Sequence, residues 1–189
     1  MTKTHSGFSL IEALFTLAII AIIATSTLPN IGSTGDNERL KAAVRSLQSS
    51  LNLARSLAIS RRQSITVCAL DPAFNNSGNT PQCIAKQPDT SHWQHGWMVF
   101  YDKDRNHRLD KTDTLIRIQD PIKLLKITSS STKGEVRLSS LGASVLSNQT
   151  WEFCLNKPNK AKQKAGLLRG YRLILSSPGL VRPYKIDPC

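Results

Sequence analysis

The longest apolar run of the chain lies close to its amino terminus. Residues 8–28 carry one charged side chain, Glu12, and residues 1–7 before them form a short polar leader. Coiled as an α-helix, a run of this length extends for about 30 Å, which matches the hydrocarbon thickness of a bilayer. The pattern therefore predicts a transmembrane helix over residues 8–28.

A pattern with helical spacing follows the apolar run. Pro29 and two glycines within residues 30–36 predict a bend and a loosened turn. Beyond this turn, apolar residues recur at intervals of four and three, which is typical of a helix with one buried face. The stripe consists of Leu40, Val44, Leu47, Leu51, Ala54 and Ala58. We expect one long helix from Phe8 to about Ser60, whose amphipathic half at residues 29–60 packs on a globular head. Two unconnected helices are the alternative.

After the second helical pattern, the periodicity changes to that of strands. Short runs rich in β-branched and aromatic residues alternate with turns that contain Gly, Pro, Asn or Asp. The predicted strands cover residues 64–70, 97–101, 115–118, 122–128, 136–141, 151–155 and 170–176, with a further strand or tail at 180–185. Residues 71–92 have the composition of a loop. The sequence thus predicts an α+β protein, with a long amino-terminal helix packed on a β-rich head at residues 61–189.

Glu12 lies inside the apolar run, where an ionised carboxylate needs a partner. In an ordinary secretory signal the small residues follow the apolar core, and cleavage removes that core. Here Gly7 precedes the apolar run, so cleavage after Gly7 leaves the helix on the mature chain and creates a free amine on Phe8. The Phe8 amine of a neighbouring subunit is a fitting partner for Glu12. The alternative from the residues alone is an uncleaved anchor with Glu12 near the lipid headgroups.

The segment Gly7-Phe8-Ser9-Leu10-Ile11-Glu12, followed by the apolar helix and Pro29, resembles the prepilin signature of type IV pilins and type II secretion pseudopilins. The resemblance implies cleavage after Gly7 by an inner-membrane prepilin peptidase and methylation of the Phe8 amine. It also implies that Glu12 sets the subunit register as mature subunits assemble with other pilins into a filament. The head then lies in the periplasm while the helix is in the inner membrane, and outside the cell after assembly.

Two blocks of the head resemble the GspH/FimT/FimU branch of these families. They are Gly96-Trp97-Met98-Val99-Phe100-Tyr101-Asp102 and the segment from Arg172 to Gly179. Members of this branch look like minor pilins or minor pseudopilins, which prime or cap a filament rather than form its bulk. The resemblance implies a structural protein, a minor pilin of a type IV pilus. A GspH-like minor pseudopilin of a type II secretion system is the alternative.

The net charge suggests an anionic partner. The chain has 25 Lys and Arg residues against 13 Asp and Glu residues, a formal net charge of +12. Such a charge is typical of a protein that contacts nucleic acid or an acidic surface, and also of a merely soluble basic surface.

Basic residues are concentrated near the carboxyl terminus, where DNA is a candidate partner. The cations from position 157 onward are Lys157, Lys160, Lys162, Lys164, Arg169, Arg172, Arg182 and Lys185. Lys and Arg on such a segment neutralise phosphates without reading bases, and Tyr184 adds a stacking face for single strands. A solvated loop is the alternative.

A resemblance bears on the same segment. FimT-like minor pilins of naturally transformable bacteria bind DNA through a Gly-Arg-x-Arg motif. Its counterpart here is Gly179-Leu180-Val181-Arg182, in which Leu180 replaces the first Arg. The candidate DNA-binding residues are therefore Arg169, Arg172, Gly179, Arg182 and Lys185.

The four cysteines have no C-x-x-C spacing, so neither a zinc knuckle nor a thioredoxin-like motif is indicated. They are Cys68, Cys83, Cys154 and Cys189. If the anchor delivers the head outside the cytoplasm, the even number predicts two disulfides, for which three pairings exist. We expect Cys68–Cys83, which closes a short loop, and Cys154–Cys189, which ties down the chain end.

Two segments carry side chains that can bind metals. Asp102, Asp104, Asn106, Asp110 and Asp113 fall at positions 1, 3, 5, 9 and 12 of a calcium loop. However, His107 stands where that loop needs Gly, and Asp113 replaces its bidentate Glu. We interpret the segment as a polar turn between strands, with calcium binding as the alternative. His92 and His95 lack an evident third ligand for zinc. We predict no metal, no cofactor and no enzymatic activity, since no catalytic motif is apparent.

Overall fold

The structure is a computed structural model that describes residues 9–27, 31–73, 80–84, 92–104, 106, 108–145, 148–156 and 170–186. Within these ranges the chain forms two α-helices, one short 3₁₀ helix and eight β-strands. The chain divides into two compact units, Met1–Gly35 and Asp36–Cys189.

Two helices occupy the amino-terminal third of the chain. Helix α1 covers Leu10–Thr27 and helix α2 covers Ile31–Arg61. Because α2 begins at Ile31, the predicted loosened turn is wrong for residues 31–36. A glycine inside a helix costs only about 1 kcal/mol relative to alanine, which the hydrogen bonds on either side can offset. Residues 28–30 lie outside the described residues, so the single long helix and the bend at Pro29 stay predictions.

The strands form two antiparallel sheets of four strands each within the described residues. Their bounds are β1 Ile65–Ala69, β2 Trp97–Tyr101, β3 Thr114–Gln119, β4 Leu125–Ser129, β5 Glu135–Leu138, β6 Gln149–Leu155, β7 Gly170–Leu175 and β8 Val181–Ile186. The first sheet has the order β3-β2-β1-β5 and the second has the order β4-β6-β7-β8. The 3₁₀ helix, Trp93–His95, precedes β2. The α+β class that the sequence predicts is confirmed.

Two strands have an end that lies three residues from the predicted one, whereas the other strand ends lie within two residues of their predictions. Strand β4 begins at residue 125 rather than 122, because Leu124 has a left-handed φ of 69° that interrupts the extended backbone. Strand β5 ends at residue 138 rather than 141, because Gly142 N donates to Ser139 O at 2.7 Å and closes a turn. In both cases the backbone conformation of a turn decides where the strand stops.

The core of the head is built on α2. The six residues of its predicted stripe are all buried, and so is Ala43 beside them. This face shares one apolar cluster with residues of both sheets, such as Val67 and Val99 of the first and Ile127 and Trp151 of the second. Full burial of each large apolar side chain contributes about 1.5–3 kcal/mol, so this cluster is the main source of stability.

Polar contacts fix α2 against the first sheet. Trp97 Nε1 on β2 donates to Ser50 Oγ at 3.0 Å, and both residues are fully buried. Toward β3, Ser46 Oγ donates to Gln119 Oε1 at 2.6 Å, and Arg117 donates to Ser49 Oγ at 3.1 Å. These three bonds lie along one side of the helix and set its rotation relative to the sheet.

The second sheet ends in a strand that contains a proline. Strand β8 pairs with β7, and Pro183 lies opposite Leu173 in that pair. Proline has no N–H group to offer, so the outer edge of β8 is a poor template for a further strand.

Removing the hydroxyl of Ser50 tests the contact between α2 and the first sheet. In Ser50→Ala the buried Trp97 Nε1 loses its acceptor, and we expect the free energy of unfolding to fall by about 1–3 kcal/mol. Denaturant unfolding followed by tryptophan fluorescence measures this change, since all three tryptophans are buried in the head. Ser60→Ala removes an exposed hydroxyl of the same helix that donates to Leu57 O within that helix, and as the control it should change the free energy by less than about 0.5 kcal/mol. Equal losses in both variants would contradict this assignment.

Candidate functional site

Helix α1 exposes apolar side chains on all its sides. The described side chains of residues 9–23 are all exposed. The large apolar ones are Leu10, Ile11, Leu14, Phe15, Leu17, Ile19, Ile20, Ile22 and Ile23. A helix that is apolar all round belongs in an apolar environment, such as a bundle of helices or a lipid bilayer. None of the helices in the described part of the chain reaches the length and hydropathy of a membrane span.

Glu12 lies in the first turn of α1 and is exposed. Its backbone N–H donates to Ser9 O at 3.1 Å. An acidic side chain in this turn interacts favourably with the free N–H groups at the helix start. Glu12 therefore stabilises the start of α1 within one subunit. This is separate from its predicted role in the contact between subunits. Gly7 and Phe8, predicted for cleavage and methylation, lie outside the described residues.

The candidate DNA-binding residues of the second sheet do not share one face. Arg172 on β7 lies opposite Tyr184 on β8. Because side chains alternate along a strand, Arg172, Tyr184 and Arg182 lie on the outer face of the sheet, and the alternate residues of β7 are buried on the inner face. Lys185, three residues after Arg182, therefore lies on the opposite face. Both cations are exposed, and the predicted DNA-binding role of Arg182 and Lys185 stays a prediction.

An ion pair reduces the positive charge of this outer face. Arg172 Nε and Nη2 donate to Glu152 Oε1 at 3.0 and 2.6 Å. Glu152 lies opposite Arg172 on the neighbouring strand β6. Sequence reasoning missed Glu152, because the only signal is the pairing register of two strands. Arg169 and the cations at 157–164 lie outside the described residues.

Gly179 has a structural role in the turn between β7 and β8. Its φ of +80° lies in the left-handed region that favours glycine. A Cβ at this position would overlap the carbonyl oxygen of Gly142, which belongs to the turn that follows β5. Arg55 Nε donates to the same oxygen at 3.3 Å. The close approach of the two turns therefore accounts for this glycine without any ligand.

The disulfide between Cys68 and Cys83 is present and ties β1 to the segment at 80–84. The two cysteines are 15 residues apart, and their Cα atoms are separated by 5.5 Å. Closing a loop of this length stabilises a fold by about 3 kcal/mol in the chain-entropy account. Cys154 is also disulfide-bonded. Its predicted partner, Cys189, lies outside the described residues.

The loop between β2 and β3 gathers carboxylates. Oxygen atoms of Asp102, Asp104 and Asp113 lie within 4.8 Å of one another, and Asp102 is buried. Oxygen ligands of this kind suit a hard cation such as calcium. The carboxylates also accept backbone N–H groups of their own loop: Asp102 from Asn106 at 3.1 Å, and Asp113 from Lys103 at 2.9 Å. The predicted polar turn is therefore confirmed, and calcium binding stays an untested alternative.

His92 directly precedes the 3₁₀ helix Trp93–His95, and His95 is the last residue of that helix. Within the described ranges, one group of side chains brings three potential metal ligands together, and it is the acidic group of the β2–β3 loop. Neither histidine belongs to that group.

Two protein-family models match the sequence. Residues 43–179 match the family described as type II transport protein GspH, and residues 2–28 match the prokaryotic N-terminal methylation motif. The chain belongs to the GspH family. The matched region runs from α2 to the turn before β8, so it covers strands β1 to β7 and the two blocks that carry the resemblance. Type IV minor pilins and pseudopilins form this family of structural proteins, which assemble with other pilins.

Solved structures with a similar fold include the type IV minor pilin FimU of Pseudomonas aeruginosa strain PAO1. In space group P21 it is 19% identical with a TM-score of 0.55, covering 78% of this chain and 89% of that chain. In space group P65 it is 20% identical with a TM-score of 0.52, covering 77% and 92%. The minor pseudopilin EpsH of the Vibrio cholerae Type 2 Secretion System is 11% identical with a TM-score of 0.49, covering 77% and 96%. Comparison with curated proteins gave no significant match.

In this GspH-family protein, Asp110 gives the β2–β3 loop a dependence on pH. Asp110 Oδ1 accepts both the hydroxyl and the backbone N–H of Thr112 at 2.7 Å, and Oδ2 accepts Asn106 Nδ2 at 2.9 Å. These bonds hold the pKa of the Asp110 carboxyl below its ordinary value of 3.8, and the bonds from Thr112 have the largest effect. Since the pKa is lowered in the folded state, ionised Asp110 stabilises the fold above pH 3.8, and this contribution is lost as the pH falls through the lowered pKa.

Replacing Asp110 by Asn tests this dependence. We expect Asp110→Asn to lower the denaturant midpoint at pH 7, and the difference from wild type to shrink as the pH falls below 3.8. Unfolding curves at several pH values measure both effects. Asp120→Asn removes an exposed carboxylate outside the loop and should leave the midpoint at pH 7 near that of wild type. A difference for Asp110→Asn that stays constant at all pH values would argue against the role of its ionised form.

Proposed function

We propose that this protein is a minor pilin of a type IV pilus, of the FimT/FimU kind, which primes or caps the filament. One observation carries the proposal: a single chain joins the N-terminal methylation motif at residues 2–28 to a head with the fold of a minor pilin. The motif supplies the means of processing and assembly. The head supplies the surface by which a minor subunit differs from the bulk of the filament.

The motif supports a proposal for how the protein is processed and where it lies. A prepilin peptidase removes residues 1–7 by cleavage after Gly7, and the new amine on Phe8 is methylated. Residues 8–28 then hold the protein in the inner membrane, with residues 29–60 packed on the periplasmic head at 61–189. After assembly the protein lies in the pilus outside the cell, in contact with major and minor pilins.

Assembly transfers the apolar surface of α1 from lipid to other helices. The exposed side chains of residues 9–23 gain contacts with similar helices in the filament core. Glu12 is the exception, because a carboxylate there is stable only if it meets an opposite charge. The Phe8 amine of the neighbouring subunit supplies that charge at one position along the helix. The pair therefore selects the register in which subunits add.

Glu12→Ala tests this mechanism. The variant should remain in the membrane, because the helix becomes more apolar. Its amount in sheared pili should fall at least about a hundredfold, because removing one partner of a buried ion pair costs about 3–5 kcal/mol. Immunoblots of membrane and sheared fractions measure both. Glu38→Ala, which removes an exposed glutamate of α2, is the control and should be incorporated normally. An amount of the Glu12→Ala variant in sheared pili equal to that of wild type would contradict the mechanism.

A minor pseudopilin of a type II secretion system is the alternative, since the matching family is described as type II transport. Deletion of the gene separates the two functions. Loss of pili and twitching with normal secretion supports the pilus. Loss of secretion with normal pili supports the pseudopilus.

We propose, as a second function, that the protein binds extracellular DNA for natural transformation. The supporting observation is that Arg182 and Tyr184 are both exposed and two residues apart on the same face of β8. An arginine beside an aromatic ring suits a phosphate together with a stacked base. Glu152 opposes this function, because it already neutralises Arg172 on the same face.

Binding of single-stranded DNA by the full-length protein in detergent, over a salt series, tests the second function. Arg182→Ala should weaken binding and reduce the slope of log affinity against log salt by about 0.7. Glu152→Gln should tighten binding, since it frees Arg172. Lys133→Ala, which removes an exposed cation from the turn before β5, is the control and should leave the slope unchanged. Absence of binding at low salt, or equal effects of Arg182→Ala and Lys133→Ala, would exclude DNA capture by this face.

A further inference from the structure

Two turns of the head pack on each other and on the last part of α2. One turn follows β5 at residues 139–145, and the other joins β7 to β8 at 176–180. Ser144 N of the first turn donates to Ser177 O of the second at 2.9 Å. Gly142 lies against α2, since a Cβ at this position would be 2.7 Å from Ile59 Cδ1. The two turns and the helix therefore form one continuous end of the head.

Four exposed apolar side chains lie on this end, and we name them the turn patch. They are Ile59, Leu141, Val145 and Leu180, with exposed fractions of 47%, 84%, 53% and 43%. Leu141 precedes Gly142, which contacts Ile59, and Leu180 follows Gly179, which contacts Gly142. Single exposed apolar residues are ordinary, whereas several of them at one end of a domain are typical of a site of interaction.

Hydrogen bonds of the two turns hold the residues of the turn patch in place. Both glycines have left-handed φ values, 75° at Gly142 and 80° at Gly179. Each turn is closed by its own backbone bond, and Arg55 Nε donates to Gly142 O at 3.3 Å. Leu141 and Leu180 are thus presented on rigid turns, so a partner does not have to order them, and less conformational entropy is lost on binding.

The charges around the turn patch are mainly positive. Arg55 and Arg62 lie four residues before and three after Ile59, and Arg182 lies two residues after Leu180. The β2–β3 loop lies near Ser140, because Ser140 and Asp102 line one small cavity. In the sequence of that loop, four cations, Lys103, Arg105, Arg108 and Lys111, balance the four carboxylates. A partner that complements this surface has an apolar centre, which contacts the patch, and an acidic rim, which faces the arginines.

A second copy of this chain does not fit that description. The chain has a net charge of +12, so two heads repel each other. A two-fold contact through the turn patch would also bring the same arginines of both copies together. The partner is therefore a different protein.

We propose that the turn patch is a docking surface for a different pilin subunit, whose contacting surface has an apolar centre and an acidic rim. This inference rests on the proposed function as a pilin that enters a filament. It assigns to the turn end of the head a contact between unlike subunits, separate from the contacts of α1.

The double variant Leu141→Lys/Leu180→Lys in the full-length chain tests the proposal. Its amount in sheared filaments should fall about tenfold or more, because two apolar anchors are lost and like charge is added to the rim. The control is Leu115→Lys/Ile118→Lys, which changes residues of β3 with similar exposed fractions of 42% and 46%. Equal losses in the two double variants, or wild-type levels of the turn-patch variant, would overturn the proposal. Absence of the wild-type protein from filaments would instead overturn the proposed function.

A photo-crosslinking residue at position 141 identifies the partner, in membranes as well as in filaments. The expected result is a crosslink to a different pilin or pseudopilin subunit, mapped to a surface that contains Asp or Glu around apolar residues. A crosslink between two copies of this chain, or a crosslink to DNA, would overturn the proposal. Because membranes are also examined, the turn patch is tested even if the wild-type protein does not enter filaments.

Discussion

The apolar stripe of α2 is the contact on which the rest of the head depends. The two sheets meet in a single apolar cluster to which this helix contributes from Leu40 to Ala58. A few fully buried side chains, at about 1.5–3 kcal/mol each, equal the whole net stability of a typical domain. Without the helix, the inner faces of both sheets would therefore be exposed to water. This dependence agrees with the division of the chain at Asp36, which keeps most of α2 with the strands.

The features that could be predicted from the sequence are those that repeat along the chain. The stripe of α2 and the positions of the eight described strands follow from periodicity, and turns in the backbone at Leu124 and Gly142 explain the two strand ends that lie three residues from their predictions. The arrangement of strands in two sheets could not be predicted, because it depends on pairing between distant segments. Glu152 and Arg172 are 20 residues apart in sequence, and only the register of β6 and β7 brings them together.

In the candidate site too, the sequence predicts the residue types, whereas their positions depend on how the strands pair. Counting cations marked the carboxyl-terminal segment as basic, but the strand pairing decides which charges act together. Arg172 is neutralised, Arg182 shares its face with Tyr184, and Lys185 lies on the opposite face. Gly179, which resemblance assigns to a DNA motif, is required by contact with a turn 37 residues earlier in the chain, at Gly142. The head therefore presents two surfaces of different chemistry: a polar, weakly basic face and an apolar end.

Pro183 in the edge strand β8 has a consequence for contacts between subunits. An open sheet edge is a template for pairing with another chain and so invites cross-β aggregation wherever subunits meet. A proline that offers no N–H group, flanked by the exposed charges of Arg182 and Lys185, makes this edge unsuitable as a seed. Among pilins, which assemble with one another, this edge of the head therefore favours contacts other than strand pairing.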